Sequence, residues 1–97
     1  MFDKMKQLME MKKQADRIKK ELDAESVETQ DVRGIKVVIN GSQKFQSIEI
    51  DESFLGAPGK ARLEKSLLQS MNAAIKASQN LAAGKMKDLM PGGFPGL

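Results

Sequence analysis

Residues 37–51 read VVINGSQKFQSIEID. Two β-rich runs flank Asn40-Gly41, the best short hairpin signal in the chain, because both residue types tolerate the backbone of a tight turn. On the N-terminal side, residues 35–39 (IKVVI) are β-branched almost throughout and predict a strand buried on both faces at Val37 and Val38. On the C-terminal side, residues 45–51 alternate: Ile48 and Ile50 share one face, and Ser47, Glu49 and Asp51 the other. Further out, residues 27–32 (VETQDV) are polar but β-branched, and Arg33-Gly34 supplies a second turn. Together these pieces predict a short three-stranded antiparallel meander. Such a sheet needs a cover on at least one face.

The flanks can provide that cover. Met1 to about Glu25 has no Gly or Pro and is rich in Lys, Glu, Met and Leu, all good helix formers. Met1, Met5, Leu8, Met11, Ala15, Ile18 and Leu22 step by threes and fours. They form one apolar seam near a 3.5-residue period, as in a coiled coil or helix pair. A connector, Glu52–Gly59, follows the strands, and its Phe54 and Leu55 are expected to tuck against the sheet edge. Residues 60–89 read as a second helix, with Gly84 inside it costing about 1 kcal/mol relative to Ala. Pro91 ends that helix, and residues 91–97 (PGGFPGL) have the composition of a mobile tail. The predicted fold class is α+β: one α-β-β-β-α domain over residues 1–90, with two long helices flanking the meander.

Composition narrows the chemistry. At 97 residues the chain is short enough to bury only a modest share of its surface, which favours a homo-oligomer. It has no Cys, His, Tyr or Trp. The commonest general base and the commonest metal ligands are therefore missing. No set of nucleophile, base and orienting group stands out, so no enzyme activity and no cofactor are expected. Glu49, Asp51 and Glu52 cluster at a strand end, where they either hold a divalent ion weakly or, more simply, cap the next turn. The N-terminus lacks the apolar core of a secretory signal, and no stretch approaches the roughly 20 apolar residues of a membrane span. A cytoplasmic location without membrane contact is the resulting expectation.

The net charge is +3, and its distribution matters more than its sum. Residues 1–25 carry +1, residues 26–59 carry −2, and residues 60–97 carry +4. Rotating the second helix by about 100° per residue gathers Leu67, Met71, Ala74, Ile75, Ser78, Ala82 and Leu89 on one side. Arg62, Lys65, Gln69, Lys76, Asn80 and Lys87 gather on the other, with no acidic residue of that helix among them. On the first helix Lys6, Lys13, Arg17 and Lys20 form a similar stripe, flanked by Asp3, Glu10 and Glu21. Cations on amphipathic helices are ordinary solvated surface. A run of Arg, Lys, Gln and Asn also suits phosphate and sugar oxygens, which position a protein on a duplex without reading bases.

The order of elements, the opening MFDKMKQLMEMKKQADRIKKEL, the stretch GIKVVINGSQKFQSIEID, the segment LEKSLLQSMNAAIKAS and the closing MPGGFPGL together resemble the YbaB/EbfC family of small bacterial nucleoid-associated DNA-binding proteins. The resemblance runs nearly end to end. It implies an α-β-β-β-α protomer in a tweezer-shaped homodimer that binds double-stranded DNA with little or modest sequence preference, through its helices. The helical-wheel reading then supplies the candidate nucleic-acid-binding residues: Arg62, Lys65, Lys76 and Lys87 on the second helix, and Lys13, Arg17 and Lys20 on the first. The meander becomes a spacer between basic helices. A competing reading is a protein-interaction adaptor that docks partners through the Met-rich seam.

Overall fold

The structure is a computed structural model that describes residues 2–56 and 59–89. The chain runs α1 (Phe2–Ala24), β1 (Ser26–Val32), β2 (Ile35–Asn40), β3 (Phe45–Ile50), a 3-10 turn (Glu52–Phe54) and α2 (Gly59–Leu89). The sheet order is β1-β2-β3 and both pairings are antiparallel. This is the predicted α+β meander between two long helices. Pro91 and the tail at 91–97 lie outside the described residues.

Alternation on β2 sorts its side chains. Ile35, Val37 and Ile39 are buried and form the core with Phe54 and Ala74. Val38 is only half-buried, so the expectation of a strand sealed on both faces is corrected. The second face of the sheet carries a charge ladder instead, with Lys36 Nζ 3.3 Å from both Glu28 and Glu49. α2 lies across β1 and β2. Its buried strip centres on Ser70, Ala74 and Ser78, with Leu63, Leu67 and Ile75 packed at its flanks. The residues at the centre of that strip are small. Ser78 Oγ donates to the Asn40 carbonyl oxygen at 2.7 Å.

The Asn40-Gly41 pair does more than turn the chain. Asn40 ends β2, and its side-chain Oδ1 accepts from the Ser42 N–H at 3.0 Å and the Lys44 N–H at 2.9 Å. The residue with positive φ in this loop is Gln43, at 63°. Space at Gly41 is tight: a Cβ there would lie 3.0 Å from both Leu22 Cδ2 and the Leu22 carbonyl oxygen. Its N–H donates to the Leu22 and Glu25 carbonyls, both at 3.0 Å. Carbonyls at a helix C-terminus lack partners within the helix, so the hairpin tip caps α1.

The Arg33-Gly34 turn forms as expected, with Gly34 at φ 92°. The connector splits. Phe54 is 2% exposed and packs against Gly34, whereas Leu55 is 75% exposed. The 3-10 turn, capped by the Asp51 carboxylate, directs one side chain inward and its neighbour outward. α2 passes through Gly84 without a break and continues to Leu89.

α1 touches the body only near its end. Residues 3–17 are all exposed, and Ile18 is buried. The molecule is accordingly elongated, 68 × 20 × 18 Å.

Candidate nucleic-acid interface

All seven candidate residues are exposed. Arg62, Lys65, Lys76 and Lys87 extend along one side of α2 over about 37 Å at 1.5 Å per residue. Among the described residues, Lys65, Lys76 and Lys87 pair with no carboxylate. Arg62 is held differently. Its guanidinium carbon sits 4.5 Å from the centroid of the Phe54 ring. Stacking of this kind restrains the group through the ring's negative face while its N–H donors stay available at the edge.

Lys13, Arg17 and Lys20 lie on α1 and likewise pair with no carboxylate among the described residues. Lys13 and Arg17 stand on the exposed arm, and Lys20 lies beyond Ile18. The structure thus places the candidates in two groups, one on each helix.

A cation that the wheel argument passed over joins these helices. Lys85 Nζ lies 2.6 Å from Glu25 and 3.8 Å from Glu21. The hydrogen bond to Glu25 is the main reason that the Lys85 pKa stands above the ordinary lysine value, with burial opposing it. The signal was available, because Lys85 falls on the same side of α2 as Met71, Ala74 and Ser78. A cation on a buried flank needs an acidic partner.

One expectation about charge changes, and another is met, since Asp51 of the strand-end acidic cluster caps the next turn. The stripe on α2 is not free of acid once the chain is folded. Gln69 Nε2 donates to Asp31 Oδ2 of β1 at 2.9 Å. The Glu49/Asp51/Glu52 cluster also separates into local partners. Glu49 pairs with Lys36, and Asp51 accepts from Ser53, whose side chain first and backbone N–H second (3.3 Å) lower the carboxyl pKa from its ordinary value. Among the described residues no group of three acidic side chains is placed to hold a metal ion. Nor is any described helix long and apolar enough to cross a membrane.

Apolar surface is exposed in two places. One is the seam of α1, where Met5, Leu8 and Met11 are 65%, 66% and 62% exposed. The other is the face of β3, where Phe45, Ile48 and Ile50 continue the plane of the core beyond the edge of α2. Beside them a groove of about 270 Å³ is lined by Val37, Phe45, Gln46, Ser47, Ile48 and Met71.

Among the described residues, both helices thus carry exposed cations with no carboxylate partner beside a small sheet. The chain belongs to the YbaB/EbfC DNA-binding family, which it matches over residues 1–94. It is 33% identical over 90 residues to a nucleoid-associated protein of Prochlorococcus marinus (strain NATL1A), covering 92% of this chain and 76% of the relative. A nucleoid-associated protein of Clostridium kluyveri is 32% identical, with 96% and 83% covered. One of Syntrophobacter fumaroxidans is 28% identical, with 99% and 89% covered.

Proposed function

We propose that this chain is a non-enzymatic, nucleoid-associated protein that binds double-stranded DNA as a homodimer. Binding is mainly through phosphates, from Arg62, Lys65, Lys76 and Lys87 on α2 and Lys13, Arg17 and Lys20 on α1, with little or modest sequence preference. The supporting observation is that exposed Lys65, Lys76 and Lys87 on α2 form no ion pair with a carboxylate among the described residues. Family membership supplies the ligand class. Two apolar surfaces left open in the protomer support a second copy as partner. In that dimer the sheets act as spacers that set the separation of basic helices across a two-fold axis, and a symmetric pair tracks a duplex only if the separation suits the helical repeat.

Phosphate binding has a salt signature. If each protomer neutralises about three phosphates, the dimer neutralises about six, and log K falls with log[salt] at a slope near −5. The test combines this slope with Arg62→Glu, Lys65→Glu and Lys76→Glu in one protein. Affinity for unrelated duplex sequences is expected to drop alike, by at least about a hundredfold at ~0.1 M salt. A flat salt response, or a loss confined to one sequence, overturns the phosphate reading. The exposed methionines favour one rival, a protein adaptor. Under that reading DNA affinity is poor in the parent protein and the triple reversal changes nothing.

A further inference from the structure

The carboxylate of Asp31 stands where the DNA-binding reading least wants one. Gln69, its partner at 2.9 Å, lies within the basic stripe of α2. Lys65 is one turn from Gln69, about 6 Å along the axis, and Arg62 and Lys76 are each about 10.5 Å away. Those separations are within about one Debye length, ~10 Å at 0.1 M salt. The negative charge, bonded to Gln69, therefore sits in the stretch of α2 that bears these cations and would oppose phosphates held there.

The backbone explains how the charge arrives there. β1 pairs with β2 as Val27↔Ile39 and Thr29↔Val37, which would put Asp31 opposite Ile35. The register slips between Thr29 and Val32, and Val32 takes that place instead. Val32 packs on the core, while Asp31 remains exposed. Bulges on edge strands re-aim side chains in this way. One extra residue thus serves the core and leaves an acid beside α2.

We propose that Asp31 is a built-in attenuator of DNA affinity, a carboxylate fixed on Gln69 that opposes the phosphates contacted by Arg62, Lys65 and Lys76. It keeps a non-specific binder releasable. This rests on the phosphate reading above.

Asp31→Asn is the direct test, since the amide oxygen can still accept from Gln69. The full chain is titrated with a fluorescent duplex of mixed sequence at two salt concentrations. Asp31→Asn is expected to bind about three- to tenfold tighter at ~0.1 M salt, with the gap narrowing at higher salt as screening grows. Asp31→Glu, which restores the charge, returns to the parent affinity. Glu49→Gln makes the same change of net charge on the far face of the sheet and gains less than Asp31→Asn. Equal gains for Asp31→Asn and Glu49→Gln, no gain for either, or an Asp31→Glu protein that binds like Asp31→Asn would each overturn the proposal. Thermal melts of all three variants separate an affinity change from a folding change. A triple reversal of Arg62, Lys65 and Lys76 that leaves binding intact sinks the phosphate reading itself, and the attenuator with it. Loss of binding in the triple reversal with no gain in Asp31→Asn sinks the attenuator alone.

Discussion

Gly41 holds two parts of the chain together through one N–H group. Its hydrogen bonds to the Leu22 and Glu25 carbonyls cap α1, and the absent side chain lets the hairpin tip lie against Leu22. Gly41→Ala keeps the donor but forces a methyl to within 3.0 Å of Leu22 Cδ2 and the Leu22 carbonyl oxygen. Either α1 or the loop must then move. The expected cost is about 1–3 kcal/mol, typical of overpacking, read as a lower urea midpoint at unchanged slope. A midpoint within error of the parent would show that the tip can give way freely. The sequence made Asn40-Gly41 legible as a turn, because turn chemistry is local. The capping role was not legible, because Leu22 is distant in sequence and no local pattern ties a loop glycine to a helix end. Phe54 and Arg62 behave similarly: each was noticed separately, and only the fold lays one over the other.

At the scale of elements, the two helices and three strands follow from periodicity and turn residues, and they were readable almost to their boundaries. What the sequence hid was how the elements meet. The rotation of α2 correctly separated a buried side from a polar one, yet the contact centres on Ser70, Ala74 and Ser78 rather than on the large apolar residues. Hydrophobicity ranks residues by size and polarity, whereas close approach of a helix to a sheet selects small ones. The Lys85 link to Glu21 and Glu25 is the other such contact, and it ties the end of α1 to α2. Because the folded Lys85 pKa is raised, the stabilisation from this link is fully present below the ordinary lysine value of 10.5. It is lost as pH rises through the folded pKa. An alkaline titration followed by circular dichroism should therefore show helicity or thermal midpoint stepping down above pH 10.5. Lys85→Met should make that step smaller while lowering stability at neutral pH, the remainder coming from Lys36, whose pKa is raised by Glu49 and Glu28. An identical alkaline profile in Lys85→Met would assign the step to other lysines.

At the scale of the whole molecule, the chain leaves two apolar surfaces exposed. The exposed part of α1, residues 3–17, covers about four turns, and helices of roughly that length are marginal in water without packing. Met5, Leu8 and Met11 point to how it is completed, since a seam at coiled-coil spacing is satisfied by another apolar surface. The β3 face has the same need for a different reason: Val37 belongs both to the core and to the groove beside Ile48, so the groove is an extension of the core left open. The proposed homodimer covers these surfaces, and two variants separate their parts in it. Met5→Ser with Met11→Ser is expected to lower helicity, shift light scattering towards the monomer mass and weaken DNA binding together, because the two basic helices lose their fixed separation. Ile48→Ser is expected to shift the mass as well, with α1 losing helicity only as the dimer dissociates. If the methionine pair leaves a dimer of full affinity while Ile48→Ser yields monomers, the β3 face alone joins the protomers and α1 is a free arm. If both variants remain dimers, neither surface is the contact, and spacing by the sheet cannot be how this fold holds its cations to a duplex.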